Sequence, residues 1–169
     1  MVRKTSLGRR VYCLADDNNI EQTLVSKIIN SYISICRQDL LEGHVINFLG
    51  LVSMIPDCIT SSYTATMAWY AKKVSENLSI PYHTCLLVIK GYIQSMIDDL
   101  MSGKPIDIRS IVSLHPVTED GVLCKVHASI STSIKEDLTI KNGVVTSVRA
   151  HTCKLLKHNV YNLAKNMEE

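Results

Sequence analysis

Two stretches of the chain, sixty residues apart, are near copies of each other: YISICRQDLLEGHVINFLGLVSMIP at 32–56 and YIQSMIDDLMSGKPIDIRSIVSLHP at 92–116. A shift of sixty residues aligns 20–56 with 80–116 without a gap, and eleven of the 37 aligned positions are identical. The aligned positions also share one hydrophobic rhythm, which coincidence does not explain. The sequence therefore predicts an internal repeat.

Each copy predicts a long helix, a glycine stop and a strand. Apolar side chains recur every three or four residues as far as Leu40 and Leu100, as on one face of a helix. Gly43 and Gly103 follow, and glycine readily takes the left-handed conformation that closes a helix end. Alternating apolar residues then indicate a strand that ends or bends at Pro56 or Pro116. The predicted repeat core is Ile29, Tyr32, Leu40 and Gly43 in the first copy and Ile89, Tyr92, Leu100 and Gly103 in the second.

Further elements are predicted around the second copy. Residues 65–78 have helical spacing with Thr64 as a candidate N-cap, and Pro81 lies near the first position of the next helix. The dipeptide Asn142–Gly143 is a hairpin signal. The remaining predicted elements are a turn at 118–121, strands at 122–131 and 138–151, and a closing helix at 153–167.

This order of elements resembles the HU/IHF family of bacterial histone-like proteins over about 65–165. The segment MIDDLMSGKPIDIRSIVSL at 96–114 resembles the family's helix followed by GxxVxIxGFGxF, and VRAHTCKLLKHNV at 148–160 is similar to its closing VPAFKPGKxLKDAV. The chain is most similar to divergent HU-like proteins of gut Bacteroidota and their phages. The resemblance implies an α+β fold, with a helix pair packed on a small antiparallel sheet.

The segment that corresponds to the DNA-bending arm departs from the family pattern. Family members use long arms rich in Arg and Lys, tipped by a proline that wedges between base pairs. Residues 125–143 contain no arginine and no proline, and their three lysines are balanced by Glu136 and Asp137. Sharp bending of DNA is therefore not expected.

The second helix–Gly–strand unit implies pairing inside one chain. HU-like folds are dimers whose helices interlock, and a second unit in the same chain predicts a pseudo-dimer whose first copy has lost its arm and last helix. The expected organisation is a basic leader at 1–19, a partial HU-like unit at 20–60 and a fuller unit at 61–169, or one compact domain overall.

The residue pattern does not favour catalysis. Asp98 and Asp99 are adjacent, so on a helix they point in different directions. No Cys or His spacing on one element matches a metal site, and no phosphate-binding loop is present. We expect a non-enzymatic protein without cofactor, metal or small-molecule substrate. The scattered cysteines favour a reducing compartment, and no apolar run is long enough to span a membrane.

Two hypotheses for function remain. The first is a structural component that packs with other protein subunits, as a homo-oligomer or in a larger assembly such as the neck or connector ring of a phage virion. The second is a nucleoid-type protein of the bacterial cytoplasm that binds the phosphates of double-stranded DNA without sequence readout. The net charge of +2 is modest, but the first twelve residues carry +4. The candidate contacts to DNA or an acidic partner are Arg3, Lys4, Arg9, Arg10, Lys72, Lys73, Lys154 and Lys157.

Overall fold

The fold is mixed α+β in a computed structural model that describes residues 7–48, 51–60, 64–120, 122–141, 145 and 147–152. These residues form five helices and two three-stranded antiparallel sheets. The elements are α1 (Leu7–Asn18), α2 (Gln22–Leu41), β1 (Ile46–Phe48), β2 (Val52–Pro56), α3 (Met67–Leu78), α4 (Tyr82–Met101), β3 (Ile106–Ile108), β4 (Val112–Glu119), β5 (Val122–Ile130), α5 (Thr132–Lys141) and β6 (Val148–Thr152).

The repeat extends further towards the N-terminus than the sequence comparison indicated. Helices α1 and α3 both have 12 residues and α2 and α4 both have 20, and each pair is offset by sixty positions. The junctions agree as well, because Asn19 and Ser79 both take left-handed backbone with φ of 53° and 54°. Residues 7–19, which were predicted as part of a leader outside both units, therefore correspond to 67–79. We call α1, α2, β1 and β2 the first copy, and α3, α4, β3 and β4 the second.

Glycine ends both long helices, as the sequence predicted. The φ angles of Gly43 and Gly103 are 95° and 81°. In the first copy the amide of Gly43 donates to the carbonyl of Leu40 and that of His44 to Asp39, which is the Schellman pattern of helix termination. A Cβ at residue 43 would lie 2.6 Å from Cγ2 of Thr60, so a side chain does not fit there.

The helix starts differ slightly from the sequence expectations. The N-cap of α3 is Thr66, not Thr64, and its Oγ1 accepts from the amide of Trp69 at 3.2 Å. Helix α4 begins at Tyr82, so Pro81 is its N-cap residue and not its first helical residue.

The single strand predicted after each glycine is a hairpin of two strands. In the first copy Ile46 pairs with Met54, and the amide of Leu51 closes the turn on the carbonyl of Phe48 at 2.9 Å. Leu51 and Val52 are adjacent and both buried, so the alternation of buried and exposed residues breaks at the turn. Because the run is mostly apolar, its sequence does not reveal this break. Pro56 ends β2, whereas Pro116 lies within β4, opposite Val126.

The third strand of each sheet comes from the C-terminal part of the chain. The strand orders are β1-β2-β6 and β3-β4-β5. Val52 pairs with Thr152 of β6 and the equivalent Val112 pairs with Ile130 of β5, so β6 takes the place in the first sheet that β5 takes in the second. Strands β5 and β6 also contact each other, which brings the two sheets side by side.

The segment before β6 is helical, although the sequence favoured a strand over 138–151. Helix α5 covers Thr132–Lys141 and the strand is limited to Val148–Thr152. Ile134 is buried and Leu138, four residues later, packs against the core, as one face of a helix does. Asn142, Gly143 and the closing helix at 153–167 lie outside the described residues.

The two copies share one hydrophobic core. Its buried residues come from the short helices α1 and α3, the long helices α2 and α4, both hairpins and α5. The apolar positions predicted as the repeat core are all at most 2% exposed, namely Ile29, Tyr32, Leu40, Ile89, Tyr92 and Leu100.

Candidate functional site

Two crossed contacts join the copies at equivalent positions. Tyr70 of α3 donates its hydroxyl to Oδ2 of Asp39 in α2 at 2.9 Å. At the equivalent residues of the other pair, Nη2 of Arg10 in α1 lies 2.8 Å from Oδ2 of Asp99 in α4. Each short helix therefore reaches the long helix of the other copy.

Arg10 is buried in the helix layer, where it also lines a groove between α1 and α4. Its side chain is 4% exposed, and Nη1 donates to Oγ of Ser95 at 3.1 Å. Nη2 has the ion pair with Asp99 but no hydrogen bond of good geometry. A buried guanidinium requires an oppositely charged partner, here the carboxylate of Asp99, to offset the cost of its desolvation. Within the chain Arg10 is occupied by Asp99 and Ser95, and its contact with DNA or an acidic partner stays a prediction.

The core between the two crossed contacts is apolar, and burial favours the protonated forms of its thiol and hydroxyl groups. Burial raises the pKa of the Cys36 thiol well above its ordinary value. Burial likewise raises the pKa values of Tyr32 and Tyr92. A thiol that stays protonated is a poor nucleophile. Cys36 is thus a packing residue in this arrangement.

The Tyr70–Asp39 contact also combines burial with hydrogen bonding. Burial raises the pKa of Tyr70, and the nearby side chains of Cys36 and Asp39 raise it further. Burial raises the pKa of Asp39, and the hydrogen bond from Tyr70 opposes that rise. In this contact the hydroxyl of Tyr70 is the donor and Oδ2 of Asp39 the acceptor.

Among the described residues, the remaining predicted cations lie on two different helices. Arg9 is exposed on α1, whereas Lys72 and Lys73 are exposed on α3, the equivalent helix of the other copy. The ammonium of Lys73 lies 5.4 Å from the ring centroid of Trp69, a cation–π distance. Arg3, Lys4, Lys154 and Lys157 lie outside the described residues.

Arg37 links α2 to α5 through contacts that the sequence did not reveal. Its Nη1 lies 2.6 Å from Oδ2 of Asp137 and its Nη2 donates to Oγ of Ser133 at 2.8 Å. Both acceptors are on α5, so Arg37 ties α2 of the first copy to the helix that follows the second sheet. The resemblance had placed Asp137 in the segment 125–143 that corresponds to the arm, between two predicted strands.

A groove of about 500 Å³ lies between α1 and α4. It forms beside Gly91, where an added Cβ would lie 2.6 Å from Cδ2 of Leu14. Its lining carries charges of both signs, including Arg9, Asp17 and Lys104. Because the lining is balanced in charge, it does not by itself select a ligand.

The outer faces of the adjoining strands β5 and β6 are polar and basic. Lys125, His127, Arg149 and His151 are exposed, and the alternate side chains Val126, Ala128, Val148 and Ala150 pack on the core. In the sequence, the lysines of residues 125–143 are balanced by Glu136 and Asp137. The proximity of Lys125 and Arg149 is not visible in the sequence, because only the fold brings β5 and β6 together.

No described helix is both long and apolar enough to cross a membrane. Comparisons with models of protein families, with curated proteins and with solved structures found no match to this chain.

Proposed function

We propose that the chain is a non-enzymatic, single-chain counterpart of an HU/IHF-type dimer that acts as a structural component through protein–protein packing. The observation that carries this proposal is the crossed arrangement of the copies. Tyr70–Asp39 and Arg10–Asp99 link them reciprocally, and β6 completes the sheet of the first copy. The repeated order of two helices, a hairpin and a third strand supports the HU/IHF architecture.

The structural role is favoured over DNA binding by the positions of the predicted cations. Arg10 is buried in an ion pair, and Arg9 and the two lysines of α3 belong to different copies. A phosphate-binding protein instead concentrates its cations along one face. Large apolar side chains remain exposed for contacts with other subunits: Tyr12 at 57%, Ile59 at 52% and Leu87 at 48%.

The proposed setting is a phage virion, in a neck or connector ring. It derives from the resemblance of the segments 96–114 and 148–160 to HU-like proteins of Bacteroidota phages. The alternative setting is the cytoplasm of a bacterial host cell.

Light scattering during size-exclusion chromatography, combined with a gel shift on duplex DNA, tests the proposal. We expect a chain that melts cooperatively, a discrete oligomer of ring size at high concentration, and weak binding of DNA at low salt. Independent melting of the two halves would refute the pseudo-dimer. Strong DNA binding with a steep salt dependence and no oligomer would refute the structural role.

A second candidate function, binding of double-stranded DNA through phosphates, is favoured by the outer face of β5 and β6. Lys125 and Arg149 are exposed on it, together with His127 and His151. If DNA binds there, the double variant Lys125→Ala/Arg149→Ala lowers the affinity and reduces the slope of log K against log salt by roughly two, about one per lost phosphate contact. The matched control is Lys72→Ala/Lys73→Ala on α3, which we expect to leave the slope unchanged. Equal slopes for all variants would exclude this face.

A further inference from the structure

Two histidines stand opposite each other in the second sheet. His115 of β4 and His127 of β5 are directly paired in the antiparallel register. They are twelve positions apart in the sequence and on different strands, so a search for metal spacing within one element does not find them.

Both imidazoles point away from the core. His127 is exposed and His115 half-buried, whereas the alternate residues Leu114 and Ala128 are buried in or packed against the core. Side chains directly opposite each other in an antiparallel pair have Cβ atoms about 4.5–5.5 Å apart. Two imidazoles at that separation can converge on one ion at Zn–N distances of about 2.0–2.1 Å.

The neighbouring cross-strand pairs define the surroundings of this histidine pair. On one side Ser113 pairs with Ser129, which places two hydroxyl groups beside the imidazoles. On the other side Val117 pairs with Lys125. The hydroxyl groups suit bound water, while the ammonium of Lys125 opposes a cation.

We propose that His115 and His127 form a binding site for a divalent first-row transition ion of the Zn²⁺ type. Neutral imidazole nitrogens are ligands that such ions prefer, and water completes the coordination. The part of the chain described here contains no group of three or more His, Cys, Asp or Glu side chains arranged for a metal. The protein therefore supplies two ligands, and the affinity is modest. This site is independent of the proposed assembly role.

Calorimetric titration of the full chain with Zn²⁺ in a buffer that does not chelate metals tests the site. We expect one ion per chain, and a loss of affinity of about tenfold or more in each of His115→Ala and His127→Ala, since even outer-shell changes at metal sites cost about 10–100-fold. His151→Ala reports on the adjoining strand β6. A second control is His83→Ala, because His151 lies on β6, which adjoins β5. His83 is exposed in the first turn of α4, outside both strands of the histidine pair, and its removal leaves the affinity unchanged.

Two further measurements distinguish this pair from other ligands. Lys125→Gln removes the opposing charge and tightens Zn²⁺ binding, whereas it has no effect on an ion held by thiols elsewhere. Thermal melts without metal show that each variant is folded. Wild-type affinity in both His115→Ala and His127→Ala, or an equal loss in His83→Ala, would overturn the proposal.

Discussion

The α3–α2 contact and the α1–α4 contact occupy equivalent positions but use different chemistry. In the first, a neutral tyrosine donates to Asp39, and the ring of Tyr70 packs edge-on against Tyr32 at 5.7 Å and Trp69 at 5.0 Å between centroids. In the second, a buried guanidinium pairs with Asp99 beside an open groove. One geometry is thus compatible with either an aromatic hydrogen bond or an ion pair. The aspartate is the shared element, and the short helix supplies the variable one.

Breaking the ion pair has the largest expected effect. Arg10→Ala leaves the carboxylate of Asp99, which is 19% exposed, without its partner. Removing one member of a buried pair costs about 3–5 kcal/mol of unfolding free energy, to be measured by urea denaturation. Lys72→Ala, a change on the exposed face of α3, is the control, and we expect a change within about 0.5 kcal/mol.

Arg10→Tyr tests whether the two contacts are interchangeable. This variant gives α1 the residue that α3 has at the same position, and its hydroxyl can donate to Asp99. We expect Arg10→Tyr to be more stable than Arg10→Ala. Equal stability of the two variants would show that the positions are equivalent in backbone only.

Tyr70→Phe tests the neutral contact, with a smaller effect. The ring packing remains, but Asp39 loses its donor, which costs about 1–2 kcal/mol at pH 7. Burial raises the pKa of Asp39 in the folded protein. Stability contributed by a raised carboxyl pKa is present at low pH and is lost as the pH rises through the folded value.

The loss of the tyrosine hydrogen bond raises the folded pKa of Asp39 further, because that bond favours the charged form. The destabilisation by Tyr70→Phe should therefore be smaller at pH 4 than at pH 7, in denaturation curves recorded at both values. A pH-independent difference between the wild type and the variant would contradict the assignment of Asp39 as the acceptor.

Gly91 sharpens the contrast on the side of the groove. Gly91→Ala brings Cβ within 2.6 Å of Cδ2 of Leu14, the end of a side chain that lines the open groove, so the shift of Leu14 offsets part of the gain in helix propensity. In a Leu14→Ala background the clash is absent, so the same change should stabilise the protein by roughly 0.5–1 kcal/mol. Thermal denaturation of the four proteins measures this difference between the two backgrounds, and additive effects would exclude the contact.

The Arg37–Asp137 pair has the smallest expected effect. The two side chains are 20% and 34% exposed, so solvent screens their attraction. A double-mutant cycle with Arg37→Ala and Asp137→Ala should give a coupling energy of about 0.5–1 kcal/mol that falls in high salt. The equivalent residue of α4 is Ile97, which cannot form an ion pair. A negligible coupling energy would mean that α5 is held by apolar packing alone.

Local features were predictable and contacts across the chain were not. The apolar period of α2 and α4 and the glycines at 43 and 103 indicated the long helices and their ends. Helix α1 escaped notice because 7–18 and 67–78 share no identical residue, and Arg10 interrupts the apolar face where α3 has a tyrosine. The charge of Arg10 suggested a surface contact, since its partner Asp99 lies 89 positions away.

By itself the sequence determined the repeat, the long helices and the side chains that line the core, because periodicity and glycine conformation act over a few neighbouring residues. Only the tertiary structure decided that β6 completes the first sheet, that Arg10 is buried against Asp99, and that His115 faces His127. These pairings join residues far apart in the chain. Their energies depend on burial and register, which exist only once the two copies have packed together.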